Sequence, residues 1–119
     1  EKMNQKVLGK LGEEIAVCYL EANQYKILEK NFYFHHKEID IIAKKKQTIV
    51  FIEVKLRTNE KYGLPIEAVT MQKKRNIRYV ATYYLAKNNL LENPIQFDVI
   101  EILINEKQSF LKHTENYEM

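Results

Sequence analysis

The chain has 119 residues, 45% hydrophobic and 29% charged, with a formal net charge of +3, the balance of a soluble globular domain with one modest core. No apolar run approaches the twenty or so residues of a membrane span, and Glu1 to Lys10 is too polar for a secretory signal. The single cysteine, Cys18, excludes an internal disulfide and a thiolate zinc cluster, so the expectation is one domain over 1–119 with a cytoplasmic address.

The first predicted element is a helix from about Asn4 to Ala22. Leu8, Leu11, Ile15, Cys18, Tyr19 and Ala22 recur at helical spacing and form an apolar stripe. Cys18 lies on that stripe and reads as core packing rather than as a nucleophile. Glu13 and Glu14 lie off its centre, where a solvated glutamate is the ordinary outcome. Asn23-Gln24 ends the helix, and three β-rich segments follow: Tyr25 to Phe34, Glu38 to Ala43, and Thr48 to Leu56. Polar Lys44-Lys45-Lys46-Gln47 joins the last two as a hairpin. His35-His36 precedes Glu38; neighbours in extended chain point apart, so these read as exposed loop residues rather than a metal clamp.

Residues 57–69 form a predicted loop punctuated by Gly63 and Pro65. Thr70 can cap a helix to about Lys87, with Ile77, Val80, Ala81, Tyr84 and Leu85 as its buried stripe. Tyr79 and Tyr83 lie on the same helix, where packing or a dimer contact competes with stacking on exposed bases. Asn88-Asn89 suits the helix end. Pro94 precedes a core strand from Gln96 to Ile104, and Asn105 to Met119 adds a short strand around Phe110. The order α-β-β-β-α-β predicts an α/β chain of the α+β kind, a mixed sheet flanked by helices.

The chemistry concentrates in Glu38-Ile39-Asp40 and, after twelve intervening residues, Glu53-Val54-Lys55. Strand side chains alternate, so Glu53 and Lys55 share a face. If Ala43 opposes Thr48, Asp40 is diagonal to Glu53; a two-residue slip sets them directly opposite. Only a one-residue slip would part them. Ile49, Val50, Phe51, Ile52 and Val54 are apolar on both faces, as in a buried strand, and charge at its end is costly unless paired or bound to a metal. Asp40 and Glu53 fit as direct oxygen ligands of Mg²⁺ or Mn²⁺, with the Val54 carbonyl as a further oxygen. The alternative is a Glu53–Lys55 ion pair. Glu38 shares the face of Asp40, and a solvated strand start explains it equally well.

Charge is unevenly distributed. Residues 44–87 hold eleven Lys and Arg against three Glu, whereas 88–119 hold two bases and six acids. Lys44, Lys45, Lys46, Arg57, Lys73, Lys74, Arg75 and Arg78 would meet the phosphates of a polyanion such as DNA or RNA. A solvated lysine surface is the competing reading.

Taken together these residues resemble the PD-(D/E)xK nuclease superfamily and its Holliday-junction-resolvase-like branch, and more narrowly the YraN family of uncharacterised, endonuclease-like bacterial proteins. The resemblance runs from Gly9 to about Asn116. It is carried by Gly9-Lys10-Leu11-Gly12-Glu13, Asn31-Phe32, Glu38 to Ala43, Val50 to Arg57, Tyr62-Gly63-Leu64-Pro65, Glu67-Ala68-Val69, Lys73, Phe97-Asp98 and His113 to Asn116. It departs at Lys37, where the family usually has Gly, at Gln96, where it usually has Arg, and at Ile39, where the superfamily has its Pro.

The resemblance implies a restriction-endonuclease-like αβββαβ core and a metal-dependent endonuclease acting on DNA, including branched or structured DNA, in preference to RNA. It implies Glu13 as the carboxylate that completes a site of Asp40, Glu53 and Lys55, with Glu14 the lesser choice, and it makes a homodimer an expectation. Lys55 would orient the attacking water or stabilise the charged transition state. Two alternatives stand beside this: a non-catalytic nucleic-acid-binding protein with a nuclease-like fold, and an assembly subunit whose acids form structural ion pairs.

Overall fold

The computed structural model describes residues 4–58 and 69–119. Its elements are α1 (Gln5–Ala22), β1 (Lys26–Phe34), β2 (Lys37–Lys45), β3 (Thr48–Arg57), α2 (Met71–Lys87), β4 (Ile95–Ile104) and β5 (Ser109–Thr114). The strands form one sheet in the order β1-β2-β3-β4-β5. Only β3 and β4 run parallel, joined by the crossover that contains α2; the other neighbours are antiparallel. This is the expected α+β arrangement of a mixed sheet flanked by helices, and the strand foreseen around Phe110 is β5. The turn signals Gly63 and Pro65, and the Tyr62–Pro65 and Glu67-Ala68 stretches, lie outside the described residues. Among the described residues no helix is long and apolar enough to cross a membrane.

The central strands are apolar on both faces because both are covered. Ile49 and Phe51 pack with Ile77, Val80, Ala81, Tyr84 and Leu85 of α2. Val50 and Ile52 pack with Ala16 and Leu20 of α1. The five α2 residues are those its helical period marks. Thr70 caps the helix, its Oγ1 accepting the Lys73 N–H at 3.1 Å. In α1, Asn4 Oδ1 accepts the Val7 N–H at 2.9 Å.

The buried line of α1 is Gly12, Ala16 and Leu20, and Cys18 is exposed, contrary to the expected stripe. The reason is the close approach at Gly12, where a Cβ would lie 3.0 Å from Leu56 Cβ and 3.6 Å from Val54 Cγ1. The helix seats its smallest residues on β3, and Cys18, two residues past Ala16, is turned about 200° away.

The β2–β3 hairpin is tighter than its polar tetrapeptide suggests. Lys45 pairs with Thr48, so the turn is Lys46-Gln47 alone, with Lys46 at φ 55°. The register is Ala43↔Val50 and Ile41↔Ile52, slipped by two from the tetrapeptide-loop expectation. An even slip preserves the face of every side chain.

Candidate active site

Pairing of β2 with β3 stops at Ile41↔Ile52, and the next residues in line are Asp40 and Glu53. There the Asp40 side chain, not its backbone, meets β3: Oδ2 accepts the Val54 N–H at 2.8 Å. The alternation of β2 breaks at the same point. Ile41 packs on the α1 side and Ile39 on the α2 side, although residues two apart in a regular strand share a face.

Asn31 of β1 falls between the pairs Lys30↔Ile41 and Phe32↔Ile39, and so stands across from Asp40. Its φ is 50°, a left-handed conformation that Asn tolerates better than most residues. Its Nδ2 donates to Glu13 Oε1 at 2.8 Å and to Glu38 Oε2 at 3.0 Å. One amide thus gathers a helix carboxylate and a strand carboxylate beside Asp40. Carboxylate oxygens of Glu13, Glu38 and Asp40 lie within 4.8 Å of one another. At an effective dielectric of about 20, two full charges at that separation repel by roughly 3 kcal/mol. Stability alone does not account for such a cluster; a proton or a cation has to relieve it.

Glu53 has a different partner. Its Oε2 lies 3.1 Å from Lys73 Nζ, and its side chain is 12% exposed against 40% for the lysine. Its Oε1 is buried without a hydrogen-bond partner, a condition that native structures rarely tolerate without a ligand or ordered water. The expected alternative partner, Lys55, lies half-buried one pleat beyond Glu53; α2, rather than the same strand, supplies the cation that touches Glu53.

The electrostatics follow from this crowding. Burial, then the charge of Glu53, pushes the Asp40 carboxyl up to about 8, with Glu13 and Glu38 adding to the rise and the Val54 N–H opposing it. Burial also raises Glu13, against the Asn31 hydrogen bond and with the charges of Glu38 and Glu53. For Lys73, burial pulls downward, but the charge and hydrogen bond of Glu53, together with Asp40 and Glu38, outweigh it and leave the ammonium raised. The donor set is all oxygen, partly buried, short of positive charge, and holds one unsatisfied carboxylate oxygen. It fits a hard divalent cation.

Of the sequence-derived residues, Glu13 and Asp40 come together with Glu38, while Glu53, whose charge acts on both Asp40 and Glu13, stands outside that trio and pairs with Lys73. Glu14 is exposed and lines a neighbouring cleft with Lys10, Cys18 and Lys30. The Val54 group engaged here is its N–H. Lys44, Lys45 and Lys46 lie at the other end of the hairpin, four to six residues along β2 from Asp40, or roughly 13–20 Å. Lys45 Nζ sits 4.7 Å over the Tyr25 ring. Arg57 ends β3 beyond Lys55. Lys74 lies 5.9 Å over the Tyr117 ring, Arg75 Nη2 donates to Gln72 Oε1, and Arg78 Nη1 donates to the Met119 carbonyl. Asn31 and the Lys73–Glu53 pairing escaped sequence reasoning. Asn31 carries a faint signal, as a turn-forming residue inside an aromatic strand.

Asp98, at the middle of β4, is fully buried. It accepts from Gln96 Nε2 at 2.9 and 3.2 Å and from the Asn116 N–H at 3.1 Å, and it meets His113 Nε2 at 2.7 Å. Tyr19 Oη completes the chain at 2.8 Å from His113 Nδ1. Gln96 thus still donates where the YraN pattern has a cation, and His113 is the ionisable partner.

A family model described as "Uncharacterised protein family UPF0102" matches residues 12–102. The chain is 51% identical over 106 residues to a UPF0102 protein of Clostridioides difficile, covering 89% of this chain and 93% of that protein. It is 45% identical over 112 residues to one of Caldanaerobacter subterraneus subsp. tengcongensis, covering 94% and 92%. To one of Clostridium acetobutylicum it is 44% identical over 117 residues, covering 97% and 95%.

Proposed function

Because the chain belongs to the uncharacterised protein family UPF0102, also known as the YraN family, whose name assigns no reaction, we propose from the site itself that it is a metal-dependent endonuclease that hydrolyses phosphodiesters in DNA. The observation that carries this reading is the cluster of Glu13, Glu38 and Asp40 oxygens where β2 and β3 part, with Glu53 next in line, its charge acting on Asp40, one oxygen held by Lys73 and the other buried and unpartnered.

Asp40 and Glu53 would hold a Mg²⁺ or Mn²⁺ ion directly, with Glu13 completing the set directly or through water. Such an ion supplies charge neutralisation and an activated water. In the reaction a water oxygen bonds to phosphorus, one ester P–O bond breaks, and the leaving oxygen takes a proton. Lys55 orients the water or stabilises the charge that builds on the phosphoryl oxygens. Lys73, at 3.1 Å from Glu53, would meet a phosphate oxygen of the substrate. Asn31 fixes Glu13 and Glu38 and so keeps the cluster from splaying.

The test incubates the purified protein with branched, flapped, duplex and single-stranded DNA, and matching RNA, in Mg²⁺ or Mn²⁺. Cleavage by wild type and its loss in Asp40→Ala is the expected result. Identical profiles for the two proteins on every substrate would end the proposal.

A second reading, non-catalytic nucleic-acid binding, is favoured by the Lys73–Glu53 pair, which neutralises Glu53 with no metal. It predicts that Asp40→Ala and Glu53→Ala keep wild-type affinity for nucleic acid.

A further inference from the structure

A second feature lies further along α2. The β1–β2 hairpin turns on two residues, His35 and His36, both left-handed at φ 50° and 66°. This tight turn lays the hairpin tip against α2. Phe34 stacks on Tyr83 with centroids 3.6 Å apart and planes 9° apart, and on His35 at 4.0 Å and 16°. Tyr79 lies 5.4 Å from Phe34, and its hydroxyl is 3.1 Å from His35 Nδ1. These rings are not in the core: Tyr79 is 46% exposed and Tyr33, next to Phe34, is 63% exposed. Phe34, Tyr79, Tyr83 and Thr82 line a broad cleft of about 710 Å³ whose charged lining residues are Arg75 and Arg78. Further cations sit over the rings, with Lys37 Nζ 5.2 Å from the Tyr79 centroid and Lys87 Nζ 5.8 Å from that of Tyr83.

We propose that this aromatic cleft binds unpaired nucleotides, its rings stacking on exposed bases while Arg75, Arg78 and Lys37 meet the phosphates. Charge complementarity selects the occupant. A second copy docking here through a two-fold axis would bring the same cations face to face, whereas a polyanion is matched along the whole rim. Ring faces select unpaired over paired strands, because bases within a duplex are already stacked and hide their faces. The cleft and the acidic centre both border α2. Tyr79 follows Lys73 by six residues on one helix, about 9 Å, or roughly three stacked nucleotides. Tyr33 hydrogen-bonds Glu38 from the hairpin side. As a substrate feature, a single-stranded segment beside the cleavage point, this inference rests on the endonuclease reading; as a binding site it does not.

The experiment measures fluorescence anisotropy of labelled oligo-dT and of a duplex of the same length with the full chain in EDTA, so that cleavage plays no part. The wild type is expected to bind oligo-dT with a steep salt dependence. Tyr79→Ala should weaken that binding about tenfold and Tyr79→Phe should not, while duplex affinity changes by less than about twofold in either. Arg75→Ala should reduce the salt slope on oligo-dT by about one ion. Thermal melts establish that each variant is folded. The inference is overturned if wild type ignores oligo-dT or if Tyr79→Ala binds it as wild type does. It is equally overturned if duplex binding falls in step, or if sedimentation shows a dimer that Tyr79→Ala dissolves without changing oligo-dT affinity. A chain that binds oligo-dT through Tyr79 but cuts nothing in Mg²⁺ retains this site and loses the nuclease. One that cuts duplex equally well with Tyr79→Ala and ignores oligo-dT does the reverse.

Discussion

The carboxylate of Asp40 accepts the backbone N–H of Val54 at 2.8 Å, one residue beyond the last β2–β3 ladder pair. A side chain here takes over a hydrogen bond that a regular strand would receive from its neighbour's backbone, and it holds the splayed strands at a fixed separation.

Burial and the charge of Glu53 lift this carboxyl from 3.8 to about 8, so the folded chain keeps a proton that the unfolded chain has released. Stability therefore falls as pH rises from about 4 to about 8 and levels above that. The slope is ~1.4 kcal/mol per pH unit steeper in metal-free wild type than in Asp40→Asn. Urea denaturation of both proteins at several pH values measures the difference. At the proposed metal site a divalent cation would replace the proton, so Mn²⁺ at pH 8 should raise the Tm of wild type and leave Asp40→Asn nearly unmoved.

Lys73→Ala removes the counter-charge of Glu53, whose other oxygen is already unsatisfied. Because the lysine is 40% exposed, the loss is modest, about 1 kcal/mol at neutral pH without metal. Saturating Mn²⁺ should recover most of it. Equal losses with and without Mn²⁺ would show that the ion does not reach Glu53.

The two glycines of α1 separate helix propensity from packing. Gly9 has open space around it, so Gly9→Ala should stabilise by up to about 1 kcal/mol. Gly12→Ala sets a Cβ 3.0 Å from Leu56 Cβ, and overpacking of about 1–3 kcal/mol exceeds the same propensity gain. Gly12→Ala should also shift the adjoining Glu13 and shrink the Mn²⁺-induced rise in Tm. Denaturant midpoints and melts of both variants check the contrast in sign.

His113→Ala leaves the carboxylate of Asp98 fully buried with only Gln96 and the Asn116 N–H as donors. Breaking such a pair costs about 3 kcal/mol. Hydrogen exchange should accelerate first in Ser109–Thr114, because β5 loses its buried side-chain tie to β4 and keeps only the backbone ladder.

Much of this was legible in the sequence because period and spacing are local. The α2 stripe follows from 3.6 residues per turn, and Asp40 and Glu53 remain neighbours in line because the two-residue slip is the one that sets them opposite each other. What escaped is set by distant contacts. Cys18 turns outward because Gly12 rests on Leu56, across more than forty residues of chain. Asn31 gathers Glu13 and Glu38 only once the hairpin turns on His35-His36. The lysine at Glu53 comes from the helix inside the β3–β4 crossover, and the sequence marks Lys73 as a candidate phosphate contact without revealing that Glu53 is its partner.

The Tyr117 N–H donates to the Phe97 carbonyl at 2.7 Å, and its hydroxyl accepts the Val69 N–H at 3.1 Å. The segment leading into α2 is thus latched by residues translated almost fifty positions later. During synthesis the four acids emerge well ahead of Tyr117, and so ahead of the latch that anchors the helix carrying Lys73. A nascent chain therefore displays its carboxylates before it can align them, and the anchoring of α2 waits until Tyr117 has emerged.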